Sequence, residues 1–172
     1  DFTFIVQDSS YMFVTGPDVV KTVTHETVSA EELGGASTHT RKSGVADLAF
    51  EDDLTILEQT RRLLDFLPLS NKEKAPSRLT EDSKNRKAFN LDTLIPDNSN
   101  SPYDMKELII TIIDEEDFFE IQPDYAQNII IGFARISGET IGIVANQPMV
   151  LAGCLDIDSS RKAARFIRFC DC

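Results

Sequence analysis

Two apolar runs facing each other across a short polar break set the narrowest limit on what this chain can fold into. Ile129, Ile130, Ile131, Phe133 and Ile136 form the first run, Ile141, Ile143 and Val144 the second, with Ser137, Gly138 and Glu139 between them. β-Branched and aromatic residues broken in this way predict a β-hairpin. Both faces of the first run are apolar, since Ile130, Ala134 and Ile136 alternate with Ile129, Ile131 and Phe133. The hairpin is therefore expected to be covered on two sides. Gly132 and Gly142 fall inside the strands, where a missing side chain marks tight packing or a backbone approached closely by something else. Asn146, Gln147 and Pro148 follow, then Gly153, Cys154 and Asp156, and a helix is expected to open near Ser159. Strand, polar loop and helix in succession make a common seat for a ligand.

Upstream, Phe2 to Val6 and Tyr11 to Thr15 read as short strands, and Pro17 starts a helix reaching Val23. Ser29 and Glu32 have capping-box spacing, so a short helix is expected from Ala30, with Gly34 and Gly35 providing a left-handed stop. His39 lies in a polar loop, residues 37–43. It lacks a nearby Ser or Cys partner in a recognisable nucleophile elbow and reads as solvated or structural. Residues 44–50 predict a strand. Glu51, Asp52 and Asp53 then open a helix to about Phe66, with acids at the positive end of its dipole and Leu54, Leu57 and Leu64 as its packing stripe.

Between residues 67 and 102 the pattern changes to four prolines among Ser, Asn, Lys and Asp. That composition reads as an interdomain linker, because a structureless loop of such length is foreign to one compact domain. Ser101 and Pro102 are expected to cap a helix carrying Met105, Leu108, Ile109 and Ile112. It stops at Asp114, Glu115, Glu116 and Asp117, which lack the spacing of a calcium loop and read as a solvated turn. The final helix sets Ala163, Phe166, Ile167 and Cys170 on one face and Arg161, Arg165 and Arg168 on another. That basic stripe suits phosphate groups; Arg161 and Lys162, near the positive end of the helix dipole, are alternatively neutralised as surface charges by Asp156 and Asp158, ion pairs being the commoner use of surface charge.

A net charge of −12 argues against nucleic acid or an anionic membrane surface as the main partner. No apolar run approaches the roughly 20 residues of a membrane span, and the opening residues do not read as a secretory leader. Cys154, Cys170 and Cys172 are odd in number and lack metal-ligand spacing, which suits free thiols in a reducing compartment and no metal site.

The runs GFARISGETIGIVANQP and LAGCLDIDSSRKAARFIRFCD, with MFVTGPDVVKTVT and EELGGASTHTRKSGVADLAFEDD upstream, resemble the carboxyltransferase (beta) chains of biotin-dependent acyl-CoA carboxylases. The likeness covers nearly the whole chain except the proline-rich middle, and is strongest to members that act on propionyl-CoA. It implies an α/β, crotonase-like fold of repeated strand-strand-helix units. Residues 1–66 would be the later part of one carboxyltransferase domain, 67–102 the linker, and 103–172 the earlier part of a second, related domain. The chain would then be the interior of a longer protein.

The reaction implied moves a carboxyl group from carboxybiotin, carried on a partner alpha chain of an ATP-dependent holoenzyme, to the α-carbon of propionyl-CoA, giving methylmalonyl-CoA. Biotin and a coenzyme A thioester are the implied cofactor and substrate. The partners are the biotin carboxylase and carrier chain and further beta chains in a ring, in a bacterial cytoplasm or the mitochondrial matrix. Such chemistry needs backbone N–H donors for the enolate and for the ureido oxygen. The family's glycine-rich loop and later Gly-Gly-Ala loop are absent from this sequence. Gly34, Gly35 and Ala36 match a different family segment, so no catalytic residue is assigned here. The resemblance associates residues 114–147 with acyl-CoA binding, and within that span Asp114, Gly132, Phe133, Ala134, Arg135, Asn146 and Gln147 are the binding candidates. The glycine-bearing strands and their Asn-Gln turn would form one wall of a thioester-coenzyme cleft. Read from the residues alone, Arg135 serves equally as a strand-end ion pair, and Asn146 and Gln147 as partners for loop backbone. On its own the chain is expected to bind acyl-CoA weakly and not to turn over. A related decarboxylase or transcarboxylase subunit, or a crotonase-like interaction module without a ligand, remains the alternative.

Overall fold

The computed structural model describes residues 1–83, 85–98 and 101–172. Lys84, Ser99 and Asn100 of the expected linker lie outside the described residues. The chain divides into two units, one of Asp1–Arg61 with Gln122–Tyr125 and one of Arg62–Ile121 with Ala126–Cys172.

In the first unit, strand β1 (Phe4–Val6) pairs in parallel with β2 (Leu48–Phe50), Phe4 opposite Leu48. Helix α1 (Pro17–Thr24) starts at its proline, as expected. Helix α2 (Ala30–Gly34) carries the expected capping box, Ser29 Oγ accepting from Glu32 N while the Glu32 carboxylate accepts from Ser29 N. Those bonds hold the Glu32 carboxyl below its ordinary pKa. The predicted left-handed stop is corrected: Gly35 has φ −82°. Gly35 N–H still bonds to Glu31 O, so the last turn closes without it. Residues 11–15 do not form the predicted strand. Met12 N–H donates to Gly34 O rather than entering a ladder, and Tyr11 stacks on Phe13. Residues 38–43 form a π-helical turn ended by Gly44 at φ 64°, so the strand expected from residue 44 begins only at Leu48. Ile5, Ala36, Ala46 and Ala49 pack as this unit's small core.

Helix α3 (Asp53–Leu64) begins where the Asp52 carboxylate accepts the N–H groups of Leu54 and Thr55. Its predicted packing stripe is corrected. Leu54, Leu57 and Leu64 are exposed, and Leu63 and Phe66 are the buried residues.

The second unit holds a three-stranded antiparallel sheet of β3 (Phe119–Ile121), β4 (Ile129–Ile136) and β5 (Glu139–Asn146), with β4 central. A single turn, α4 (Leu91–Leu94), precedes α5 (Met105–Ile112), and α6 (Ile157–Asp171) closes the chain. The two-residue turn Ser137-Gly138 has positive φ at both positions, matching the twist of the flanking strands. Central β4 is covered on both faces, as expected. Ile130 and Ala134 pack with Ile109 and Ile113 of the α5 segment. On the opposite face Phe133 meets Phe166 of α6 at 5.0 Å between centroids and Phe66 at 6.2 Å. Helix α5 is capped by Asp104, which accepts from Lys106 N, not by Ser101 and Pro102. Helix α6 starts two residues before Ser159, because Asp156 and Ser159 form a reciprocal cap. Among the described residues no helix is long and apolar enough to cross a membrane.

The proline-rich stretch is tied to the sheet of this unit. Arg78 N–H donates to Gly138 O, Thr140 Oγ1 to Pro76 O, and Arg86 Nη2 to Ile113 O.

Candidate functional site

The hairpin places the seven binding candidates at its two ends and along its buried middle. Arg135 pairs with Thr140 beside the turn, whereas Asn146 faces Ile129 at the far end. Six residues of extended chain separate these points, roughly 20 Å. Asp114 and Arg135 come together at one end, Asn146 and Gln147 at the other, and Gly132, Phe133 and Ala134 lie buried between them.

At the turn end the acidic segment is not the solvated turn expected. Asp114 is buried, and its carboxylate accepts the N–H groups of Ser137 at 3.0 Å and Gly138 at 2.6 Å. Two N–H groups that no strand partner reaches are thereby satisfied. Glu115 accepts from Thr80 Oγ1 and from Glu81 N. Asp117 bonds Arg62 at 2.5 Å and faces Arg135 at 3.6 Å. Of the four acids Glu115 and Glu116 are the exposed ones.

Arg135 is 5% exposed. Its Nη2 donates to Asp65 O at 2.7 Å, and its guanidinium lies 4.1 Å over the Phe66 ring. Burial is the main influence lowering its pKa, Arg78 adds to it, and Asp117, Asp65 and Glu115 oppose. The strand-end ion pair is thus present, and Nε is buried without a partner among the described residues. A cleft of about 360 Å³ opens here, lined by Arg78, Leu79, Thr80, Asp114, Glu115, Asp117, Arg135 and Gly138. Three carboxylates against two guanidinium groups make it a polar cleft with no excess of positive charge.

At the far end both amides serve the chain itself. Asn146 Nδ2 donates to Gly153 O at 2.5 Å. Gln147 Nε2 donates to Asp104 Oδ1 at 2.7 Å, while its Oε1 accepts from Met105 N and joins the cap of α5. The two strand glycines serve packing. A Cβ on Gly132 would lie 2.4 Å from Phe119 O, and one on Gly142 would lie 2.8 Å from Cys170 Sγ. Of the two readings of these glycines, tight packing is the one the structure shows, since the chain's own atoms take the space a side chain would need.

On α6, Arg161, Arg165 and Arg168 are exposed, and the Asp156 carboxylate at the start of the helix is engaged in its cap. That carboxylate is used by Ser159 and Asn128, which hold it below its ordinary pKa, Ser159 contributing most. Lys162 is buried and donates to Ile129 O at 2.9 Å. Burial pushes its pKa down to about 8, with Glu120 opposing and Lys106 assisting. Sequence reasoning placed Lys162 with the surface charges, although its spacing from Phe166 marks it as core-facing. Arg78 and Thr80 carried no signal at all, because linker residues have no period to read.

Residues 1–172 match a family model described as the carboxyl transferase domain. The propionyl-CoA carboxylase beta chain of Roseobacter denitrificans is 70% identical over 171 residues, 99% of this chain and 34% of that protein. Its mitochondrial counterpart in Sus scrofa is 58% identical across 99% of this chain and 32% of its own length. The methylmalonyl-CoA decarboxylase subunit alpha of Veillonella parvula is 53% identical, again across 99% of this chain and 34% of its own. A transcarboxylase 12S structure, described as a hexamer with hydrolysed methylmalonyl-coenzyme A bound, superposes with a TM-score of 0.95 at 41% identity, covering 99% of this chain and 34% of that one. The chain spans about a third of the length of the curated relatives it matches.

Proposed function

The chain belongs to the carboxyl transferase domain family, with its α/β, crotonase-like fold, and from that premise we propose that it is a segment of the carboxyltransferase subunit of a propionyl-CoA carboxylase. The whole subunit would move a carboxyl group from carboxybiotin on a partner alpha chain to the α-carbon of propionyl-CoA. The observation that carries this is the ranking of identities, 70% to a propionyl-CoA carboxylase beta chain against 53% to a decarboxylase subunit over the same 171 residues. Such a subunit would assemble with further copies of itself, in a bacterial cytoplasm or a mitochondrial matrix. Residues 1–66 and 103–172 would belong to its two related domains, joined by 67–102.

Within this chain the span 114–147 would contribute to holding the acyl-CoA. Because the side chains of Asp114, Phe133, Ala134, Arg135 and Gln147 are buried, their role would be to fix the hairpin and its acidic turn. Asn146, exposed at the far end of β5, is the side chain best placed for direct contact. Gly132 would act through its strand's position.

The full-length protein, combined with its biotin-bearing partner, ATP and labelled bicarbonate, is expected to label propionyl-CoA. Biotin-dependent loss of carbon dioxide from methylmalonyl-CoA, without net carboxylation, would assign it to the decarboxylase branch instead. The 172-residue segment alone is expected to give no steady product in the same assay, since the family's oxyanion donors lie in other parts of the full-length proteins. Sustained turnover would overturn that expectation.

A further inference from the structure

His39 was expected to lack a partner, and the fold supplies one. The π-helical turn Thr38–Ser43 brings Ser43 Oγ within 2.8 Å of His39 Nδ1. On the other side of the ring, Nε2 lies 2.6 Å from Met12 O. A carbonyl oxygen only accepts, so Nε2 carries the proton and Nδ1 is the bare, basic nitrogen. Ser43 O–H therefore donates to it. Nucleophile, base and an acceptor that orients the base stand in line, the arrangement that activates a serine hydroxyl.

Four further features fit that role. Ser43 is exposed, so a reagent reaches its oxygen. It ends the π turn immediately before Gly44 at φ 64°, which turns the chain sharply beneath it. Val45 N–H also donates to Ser43 Oγ at 3.3 Å, which leaves the hydroxyl proton for the imidazole. Met12 is held in place by its own N–H bond to Gly34 O at 2.8 Å.

We propose that Ser43 is a nucleophile activated by His39, which takes acyl groups from activated carboxylic esters. Ser43 Oγ bonds to the acyl carbon while its proton passes to His39 Nδ1. As the tetrahedral species collapses, the bond to the leaving oxygen breaks and the same proton moves from Nδ1 to that oxygen, so the serine ester and the free alcohol or phenol result.

A fluorophosphonate probe tests this on the full-length protein, because Ser43 Oγ would bond to phosphorus as fluoride leaves. Mass mapping is expected to find the adduct on Ser43 in the native protein and none in protein unfolded in urea. Ser43→Ala should abolish it, and His39→Gln should reduce it by at least ~100-fold, the lower end of what a positioned base contributes. No adduct on Ser43 in the native protein, or equal labelling of native and unfolded protein, overturns the proposal without any variant having to fold. Undiminished labelling in a folded His39→Gln protein, judged by circular dichroism, overturns the role of the base.

Discussion

Gly132 sits opposite Glu120 in the β3–β4 ladder, on the strand face shared with Ile130 and Ala134. The sequence marked it as a place where a side chain is excluded, and the structure identifies the excluding group as Phe119 O, a backbone atom that cannot swing away. At Gly142 the nearest atom is instead the Cys170 sulfur, the tip of a side chain that can turn. Gly132→Ala should therefore cost roughly 1–3 kcal/mol by overpacking, and Gly142→Ala distinctly less, in urea unfolding. Equal losses, or none at Gly132, would mean that the strand relaxes there and that the glycine is kept for a reason other than packing. Asp114 shows what single residues hide. In the sequence it is one of four adjacent acids, and only the return of the chain at Ser137 and Gly138 separates it from Glu116.

Elements were readable wherever a period or a cap expressed them. The hairpin turn and the Ser29-Glu32 box follow directly from residue spacing. Helix α3 was found but its inner face was not, because Leu54, Leu57, Leu63 and Leu64 together fit more than one stripe and burial alone distinguishes them. Residues 11–15 have strand propensity but no ladder, so their backbone bonds go to Gly34 and His39. Helix α6 carries a testable consequence of the same kind. Lys162 reaches across to the β4 carbonyl of Ile129, and its burial pulls the folded pKa from 10.5 to about 8. Below pH 8 the amine is charged in both states and the penalty for burying it is fully present. Between about pH 8 and 10.5 the unfolded chain binds more protons than the folded one, so stability from this group rises with pH. The rise is on the order of 3 kcal/mol. In urea unfolding at pH 7.5 and pH 10, the wild type should gain relative to Lys162→Met, and parallel pH dependences would show that Lys162 titrates normally.

At the scale of the whole chain, the charge of −12 decides how a polyanionic ligand meets it. Coenzyme A phosphates approaching this surface are repelled by the summed field. The exposed stripe of Arg161, Arg165 and Arg168 attracts them only locally. The cleft at the hairpin turn adds no net positive charge to favour them. The Debye length falls from about 30 Å at 0.01 M salt to about 8 Å at 0.15 M, so salt removes the distant repulsion first and leaves short contacts comparatively intact. Weak binding of propionyl-CoA to the 172-residue chain, followed by equilibrium dialysis, should therefore tighten several-fold between 20 and 200 mM sodium chloride. A ligand whose phosphates were held chiefly by the α6 arginines would show the opposite trend, because the attraction that dominates its affinity is screened by the same ions. Affinity falling steeply with salt would move the phosphate contacts from the hairpin segment to α6. Arg161→Ala and Arg165→Ala would then abolish that salt dependence, whereas they make the chain more negative and should enlarge the tightening with salt if the net field governs.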